Sequence, residues 1–308
     1  MTAAVPIVEV TFFGLSAGAV IGLLALGLVL IYRTTGVINL AHWAIGLLSV
    51  VAYVFITAAG VPPALAVLLS LPVSVVAGVA AYRWVFRGMS RSRQILVILV
   101  AVGVAQVYSS VAALILRFEQ FTGLPPWLPV RDWDLLGVTV RSTDLVTAIT
   151  GISVALGFLV WFRRTRAGRA LRAVAQNREA AQLAGIDQDR ASKLAWGIGS
   201  GLSALALLLV LPHVAGTQGG LLTAFDVSPL GTLLIPAFGA ALVGGLVNLP
   251  MALVGGFVFG LTRELLILAP KPFSDLRPSI AAILIVLLLL ARTERLFASR
   301  QELEALET

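Results

Sequence analysis

The run FFGLSAGAVIGLLALGLVLI, residues 12–31, contains no charged side chain. A helix needs about 20 apolar residues to cross the hydrocarbon core of a bilayer, which is roughly 30 Å thick. Residues 280–290 are equally apolar and consist of Leu, Ile, Val and Ala. Hydrophobic residues make up 59% of the 308-residue chain, and the mean hydropathy is +0.99. These values leave little polar surface for a water-soluble fold and predict a polytopic membrane protein.

The membrane spans are predicted to be helices. Strands of a membrane barrel would alternate apolar and polar residues over about ten positions, whereas runs such as Leu205–Leu211 are uniformly apolar. A chain of this length can hold roughly eight to ten helical spans and no sizeable soluble domain. We therefore expect one transmembrane domain, residues 1–308, with spans at 10–32, 40–59, 63–81, 94–116, 144–162, 194–212, 230–247, 250–268 and 278–291.

The charges between the spans predict the orientation. Loops 82–93 and 163–193 carry an excess of arginine, and short basic loops stay on the cytoplasmic side. Loop 117–143 mixes both signs and is expected outside. This pattern places the N-terminus outside a bacterial-type inner membrane and, with nine spans, the C-terminal tail inside. Re-entrant segments in the last third, where Gly and Pro interrupt the apolar pattern, are the alternative and would change the count. No Lys or Arg precedes the first apolar run, so that run is expected to be retained as a span rather than cleaved as a signal peptide.

Composition argues against several classes of function. The chain has no cysteine and only two histidines, His42 and His213, which are far apart in sequence. Neither a metal site nor another cofactor is expected. The two lysines, Lys193 and Lys271, lie outside any G-x-x-x-x-G-K-[ST] loop, so the chain lacks a P-loop for ATP. The net charge of +7 sits in short loops, which indicates a membrane surface and not nucleic acid as the partner.

The loop RRTRAGRALRAVAQNREAAQLAGIDQDRASK, residues 163–193, predicts a short cytoplasmic helix. Asn177 is a good N-cap, residues 178–184 are mostly helix formers, and Gly185 followed by Ile186 is typical of a C-cap. A helix of about two turns is marginal alone in water. The helix therefore needs a surface to lie on. The sequence allows either the protein's own bundle or anionic lipid headgroups, or else a partner protein.

Two further stretches predict breaks in the helices. In RTTGVINLAHW, residues 33–43, Gly36 interrupts the apolar pattern and Asn39 could cap a helix from Leu40, with His42 in its first turn. A helix start inside or near the membrane offers N–H groups to an anion such as a carboxylate, although a plain tight turn is the alternative. The stretch FGAALVGGLVNLPMALVGGFVFGL, residues 238–261, is either a discontinuity that lines a substrate path or a tight hairpin.

The spacing of glycines and of two adjacent charges predicts how the helices pack and which charges pair. Glycines recur every four residues at 14, 18 and 22, at 197 and 201, and at 256 and 260, and this spacing lets helices pack closely in lipid. Arg263 and Glu264 are adjacent charges in an apolar stretch. Consecutive helical residues point about 100° apart, so these two are not expected to pair well with each other.

Three motifs, in this order, resemble the membrane permease subunits of branched-chain amino-acid ABC importers, the Liv type. Ala25–His42 resembles that family's first span and the RTTGVINLAH-like turn behind it. Thr165–Ile186 matches the family's cytoplasmic loop, TxxGRAxRAxAxNxxAAxLxGI, almost residue for residue, and Gly244–Pro250 matches its GGxxxxP segment. With the apolar runs, this predicts an all-α bundle of about 8–10 transmembrane helices with a short cytoplasmic coupling helix.

The resemblance also implies partners. In the family a coupling helix docks into a groove of the ATPase subunit, and the residues that correspond to it here are Arg178, Glu179, Ala180, Ala181, Gln182, Leu183 and Gly185. Two separate ATPase subunits would then bind the ATP, which explains the missing P-loop. The other implied partners are a second permease subunit, identical or homologous, and an extracytoplasmic solute-binding protein.

Two departures from the family fall near the expected substrate pathway. Trp43 stands where the family commonly has Gly after the histidine, and Asn248–Met251 replaces its usual G-S-x-x-G. The expected cargo is a branched-chain or similar small amino acid, with urea, a short amide or another small organic solute as the alternative. The residues predicted to line the pathway are Asn39, His42, Gly244, Gly245 and Asn248.

Two other classes of membrane protein are alternatives to an importer subunit. An ion- or proton-coupled secondary transporter would need a buried carboxylate in mid-span, and Glu264 is the one late candidate in the sequence. An intramembrane enzyme would need a catalytic cluster inside the spans, and the sequence displays no such motif. A transport subunit without an active site of its own is therefore the expectation.

Overall fold

The computed structural model describes residues 4–89, 94–118, 127–128, 131–135, 138–217 and 231–291. These residues form a helical membrane bundle, as predicted. The helices are α1 Ala4–Thr35, α2 His42–Ala58, α3 Pro63–Ala81, α4 Gln94–Phe118, α5 Ser142–Arg164, α6 Arg166–Gln176, α7 Arg178–Leu183, α8 Gln188–Thr217, α9 Leu234–Val243, α10 Leu249–Leu265 and α11 Ile280–Ala291. A π-helical turn, Tyr82–Phe86, extends α3, and short 3-10 turns at Leu266–Leu268 and Ser274–Leu276 follow α10.

Nine of these helices coincide with the nine predicted spans. Six are long and apolar enough to cross a membrane: α1, α3 with its π-turn, α4, α5, α8 and α10. The other three, α2, α9 and α11, are apolar but shorter. The start of the predicted span at 230 and the C-terminal tail from 292 lie outside the described residues. The all-α multi-pass architecture is confirmed.

Loop 117–143 contains a small β-hairpin that the sequence analysis did not predict. Strand β1, Asp132–Leu135, pairs antiparallel with β2, Val138–Arg141, and Asp132 lies opposite Arg141. Val140 stands between Thr139 and Arg141 and is buried. Because four-residue strands carry too little periodicity to stand out beside a membrane span, the hairpin was not recognised.

Helix α1 lies at the centre of the bundle, and α10 packs directly against its backbone. A Cβ placed on Gly256 would lie 2.5 Å from the Cα of Gly22, and one on Gly260 would lie 2.5 Å from the Cα of Gly18. Glycine on both helices therefore allows the two backbones to touch, and close packing drives helix association in lipid. The predicted role of the glycine spacing is confirmed here and also at Gly197 and Gly201, which pack against Val75 and Val79 of α3.

Buried polar groups also join the spans. Pro212 in α8 has no N–H, so the carbonyl of Leu208, four residues earlier, cannot make its usual helical hydrogen bond. The indole Nε1 of Trp127 donates to this carbonyl at 2.9 Å. Between α2 and α3, the Ser49 hydroxyl donates to the Ser74 hydroxyl at 2.7 Å. Such bonds satisfy polar groups that have no water available inside a membrane.

Candidate functional site

The end of the bundle at which α1, α3 and α5 terminate carries α6 and α7, and we call it the basic end. The Arg178 side chain on α7 donates to the carbonyl of Thr34, in the last turn of α1. Just beyond α3, Arg87 pairs with Asp189 in the first turn of α8, with Nε and Oδ1 3.1 Å apart. The described part of the predicted basic loop 82–93, residues 82–89, therefore lies beside loop 163–193.

Helix α7 has the two caps that the sequence predicts. The Asn177 Oδ1 accepts a hydrogen bond from the Ala180 amide at 3.0 Å. At the other end Gly185 has φ 79°, and the amide of Ile186 donates back to the Ala181 carbonyl at 2.9 Å. This left-handed glycine and backward bond form a Schellman C-cap. The caps make α7 a defined unit despite its six residues.

Helix α7 packs on the bundle with one face and exposes the opposite face. Ala181 is buried against the bundle, and the Gln188 side chain donates to the Arg178 carbonyl at 2.7 Å. In contrast, Leu183 is 90% exposed, and Gln182 is exposed beside it. An apolar side chain that projects from a fixed, capped helix is suited to bind in a groove of another protein.

Helix α6 was not predicted, although it lies within the predicted coupling loop. Thr165 caps it by accepting a hydrogen bond from the Gly168 amide at 3.0 Å. A Cβ on Gly168 would lie 2.2 Å from the Phe162 carbonyl oxygen, so glycine lets α6 fold back onto the end of α5. Leu171 and Val174 are buried. Their i, i+3 spacing was the available signal in the sequence.

Helix α2 begins inside the bundle and not at its end. After α1 ends, Gly36 adopts φ 73° and its amide donates to the Tyr32 carbonyl at 2.7 Å, which turns the chain back. The prediction that Asn39 caps a helix from Leu40 is wrong in detail. The Asn39 Oδ1 does accept from the amide two residues on, Ala41, at 3.1 Å, but the helix begins only at His42, so this bond stabilises the turn before it.

Contacts with α1 and α8 show how deep in the bundle α2 begins. A Cβ on Gly27 would lie 2.7 Å from the His42 ring, and Gly27 precedes the end of α1 by about 12 Å along the helix axis. The Ser203 hydroxyl, in the middle of α8, donates to the His42 carbonyl at 2.9 Å. The first turn of α2 is therefore near mid-depth, with its N–H groups and positive dipole end inside the bundle.

Helix α9 begins at a similar depth beside α2. A Cβ on Gly231, just before α9, would lie 3.2 Å from the Trp43 ring. A cavity of about 540 Å³ opens between these two helix starts and α4. Its lining residues are Trp43, Gln106, Ser109, Ser110, Ala113, Gly231, Thr232 and Ile235.

The sequence analysis missed the polar face that α4 contributes to this cavity. Gln106, Ser109 and Ser110 occupy i, i+3 and i+4 positions in an apolar helix, so they share one face. The Gln106 Nε2 donates to the Ser110 hydroxyl at 3.2 Å. That spacing of polar residues inside a span was the signal available in the sequence.

The predicted pathway residues fall into two separate places. Asn39 and His42 are fully buried directly behind Trp43 and do not line the cavity. Gly244, Gly245 and Asn248 form the turn between α9 and α10, where Asn248 Oδ1 accepts from the Met251 amide at 3.1 Å. That turn lies at the basic end, because Asn248 borders a cavity with Arg33 and Arg163. The tight-hairpin alternative describes this stretch.

Two buried carboxylates are paired at the opposite end. Asp144 is 2% exposed and contacts the His213 Nε2 at 2.7 Å, with the Ser16 hydroxyl 3.5 Å from the same nitrogen. Because serine and aspartate approach one nitrogen, the ring cannot relay a proton between them as in a hydrolase. Glu264 pairs closely with Arg277, while its neighbour Arg263 lies 3.8 Å away, in line with the weak pairing expected of adjacent residues.

Within the described ranges, no three His, Asp or Glu side chains gather as a metal site would require. The candidate site therefore consists of two parts that lie at different depths. One is the α6–α7 surface at the basic end, and the other is the cavity between the starts of α2 and α9. The first can bind a protein, and the second can hold a small polar solute.

Comparison with known proteins gives a consistent assignment. A family model described as "Branched-chain amino acid transport system / permease component" matches residues 10–292. The chain is 26% identical over 298 residues to the high-affinity branched-chain amino acid transport system permease protein BraD of Pseudomonas aeruginosa, covering 91% of this chain and 92% of that protein. It is 25% identical over 268 residues to LivH of Escherichia coli K12, covering 82% and 84%.

A more distant organism provides a third relative. The probable branched-chain amino acid transport permease protein LivH of Methanocaldococcus jannaschii is 28% identical over 255 residues, covering 79% of this chain and 76% of that protein. Among solved structures, PsaBC from Streptococcus pneumoniae in complex with Fab aligns with a TM-score of 0.49 and 12% identity, over 91% of this chain and 89% of that one. This last likeness is too distant to bear on fold or function.

Proposed function

This chain belongs to the permease components of branched-chain amino acid transport systems, and on that premise we propose how it carries out transport. It is a membrane-spanning subunit of an ATP-binding-cassette importer that moves branched-chain or similar small amino acids into the cell. The observation that carries this function is the family match, which extends over residues 10–292. Separate ATPase subunits supply the energy, since the chain has no P-loop.

The basic end faces the cytoplasm, where the ATPases are. Its arginines and the positive-inside rule support this orientation, which places the N-terminus and the β-hairpin outside. One ATPase docks on α7 of each permease, and its groove receives Leu183, which is 90% exposed. The complete importer contains a second permease, identical or homologous, two ATPases and an extracytoplasmic solute-binding protein.

The cavity between α2 and α9 forms part of the translocation path. Its polar side chains come from α4, which contains an apolar 18-residue stretch of which only 17% is buried by the rest of this chain. Polar groups on a lipid-facing helix are costly, so this face is expected to meet a second permease or a water-filled path. The two helix starts offer positive dipole ends to a carboxylate, and Trp43, Ala113 and Ile235 supply apolar surface for a branched side chain.

A movement of α7 is transmitted through α1 to the cavity between α2 and α9. The Arg178 side chain holds the last turn of α1, and the His42 ring at the start of α2 packs against Gly27 of the same helix. A displacement of α7 by the ATPase can therefore shift the end of α1 and the helix start that it supports. Asn39 and His42 act in this arrangement as supports behind the path.

Competition for uptake tests the cargo. The chain is expressed with its ATPase and binding-protein partners in cells that lack their own leucine importers, and uptake of radiolabelled leucine is measured. Unlabelled isoleucine and valine should compete, whereas urea and acetamide at the same concentration should not. If urea or acetamide competes and isoleucine does not, the cargo is one of the alternative solutes and the assignment to branched-chain amino acids is wrong.

A further inference from the structure

A second cavity lies at the basic end, separate from the cavity between α2 and α9. It measures about 410 Å³ and is bordered by the ends of α1 and α5, the middle of α6, and the turn before α10 with that helix's first residues. Three of its lining side chains are arginines, namely Arg33, Arg163 and Arg172, and none is acidic. The remaining walls are mostly apolar and include Leu159 and Leu249.

Two of the arginines contact the same aromatic ring. The guanidinium carbons of Arg33 and Arg172 lie 5.8 and 5.5 Å from the centroid of the Phe162 ring. Arg172 also donates to the Phe162 carbonyl. Cation–π contacts and this bond fix both side chains, so the like charges stay together although they repel each other. Charges concentrated in this way favour an anion between them.

The surrounding groups do not neutralise this cluster. The C-termini of α1 and α5 carry roughly half a negative charge each, which offsets about one guanidinium. The N-terminus of α10, beginning at Leu249, adds positive potential on the other side. The nearby acids at the start of α8 are engaged elsewhere, since Asp187 pairs with Arg190 at 3.0 Å and Asp189 with Lys193 at 2.6 Å.

We infer that this cavity binds the phosphate of an anionic phospholipid from the leaflet at the basic end. Guanidinium groups suit phosphate oxygens because they donate two parallel hydrogen bonds, and basic pockets between membrane helices on the cytoplasmic side bind lipid headgroups. The leaflet is cytoplasmic on the orientation proposed above. Lipid fits better than free phosphate, since Leu156 and Val160 expose apolar surface along α5 and Val247 does so at the cavity rim.

Thermal unfolding of the purified full-length chain in detergent tests the site. Added phosphatidylglycerol should raise the unfolding midpoint by several degrees, because a ligand that binds only the folded state stabilises it. Phosphatidylcholine at equal concentration, whose headgroup is zwitterionic, should give much less. The Arg33→Gln/Arg163→Gln variant should lose most of the shift with phosphatidylglycerol, and Arg163→Lys, which keeps the charge, should retain most of it.

The adjacent residue provides a matched control. Arg164 is also exposed at the end of α5 but does not line the cavity, so Arg164→Gln should respond to phosphatidylglycerol like the wild type. An equal shift in the double variant, or an equal shift with phosphatidylcholine, would overturn the inference. A full shift with inorganic phosphate alone would make this a site for free phosphate and overturn the assignment to lipid. These results depend on binding and not on transport, so they are independent of the uptake test.

Discussion

Single glycines determine how closely α1 and α10 approach each other. Gly256 and Gly260 meet Gly22 and Gly18 at distances that leave no room for a side chain. In a bilayer the lipid tails are as apolar as leucine, so packing rather than hydrophobic burial holds these helices together. Even one methyl group at the contact is expected to separate the backbones.

Gly256→Ala should therefore lower the stability of the bundle. Its Cβ would lie 2.5 Å from backbone atoms of Gly22, which cannot rotate away, and such overpacking typically costs about 1–3 kcal/mol. The thermal unfolding midpoint in detergent measures the effect. Gly103→Ala is the control, since a Cβ there meets nothing within 4 Å and alanine favours a helix by about 1 kcal/mol. Equal midpoints for the two variants would contradict the contact.

The polar face of α4 gives a prediction about transport. Gln106→Leu removes the amide that faces the cavity between α2 and α9 and should raise the KM of leucine uptake about tenfold, the loss of roughly one hydrogen bond to a charged group. Val107→Leu changes the next residue, which is exposed but does not line the cavity, and should leave the KM unchanged. If both variants transport with the wild-type KM, this face does not line the path.

The residue identities of the candidate site were only partly predictable. Asn177 and Gly185 were recognised as caps because capping is local and needs only neighbouring residues. His42 could not be assigned, since its burial depends on Gly27 and Ser203, which come from two other helices. The same holds for the contact between Asp144 and His213, which lie 69 positions apart in the sequence.

A proline and a tryptophan together stabilise the half of α8 that lies away from the basic end. Pro212 leaves the Leu208 carbonyl without a helical donor, and Trp127, from the loop that also carries the β-hairpin, supplies one at 2.9 Å. This bond joins the loop to a span. Its energy is expected to matter because an unsatisfied buried carbonyl costs about 1–3 kcal/mol.

Trp127→Phe should lower the unfolding midpoint, because phenylalanine fills most of the volume but donates no hydrogen bond. Adding Pro212→Ala to that variant restores an amide donor four residues after Leu208 and should recover part of the loss. The two changes are therefore expected to be non-additive in a double-mutant cycle. Additive effects would show that the tryptophan acts through its bulk and not through the Leu208 carbonyl.

Whole elements were predicted well where the apolar runs are long. The positions of the nine apolar helices among the described residues could be anticipated, because composition alone distinguishes a span from its loops. Helix α6 and the β-hairpin were missed, since each is short and derives its stability from packing on neighbouring elements. The start of α2 was predicted inside or near the membrane without a definite depth, because depth depends on how the chain folds back along α1.

The orientation of the whole molecule in the membrane is inferred from the arginines of its basic end. Asp132 of the β-hairpin and Gln182 of α7 are both exposed and lie at opposite ends of the bundle. In intact cells Asp132→Cys should react with a membrane-impermeant thiol reagent, and Gln182→Cys should react only after the cells are opened. The native chain has no cysteine, so the background is low. The reverse pattern would invert the topology and separate α7 from any cytoplasmic ATPase.

The central claim is that α7 transmits the work of separate ATPases to the membrane helices. Ala181→Pro would remove the amide that donates to the Asn177 carbonyl and would destabilise the helix by about 3 kcal/mol or more. The spans are unchanged, so the variant should still insert in the membrane. Ala181→Ser keeps the amide at the same position and is the matched control.

The most direct measurement follows leucine uptake and ATP hydrolysis together, in proteoliposomes that contain the permease, its ATPase and the leucine-loaded binding protein. The wild type and Ala181→Ser should couple uptake to hydrolysis. Ala181→Pro should lose uptake, either because the ATPase no longer stays bound or because hydrolysis no longer responds to the loaded binding protein. Normal uptake with normal stimulation in Ala181→Pro would contradict the account, because α7 would then not be the coupling element.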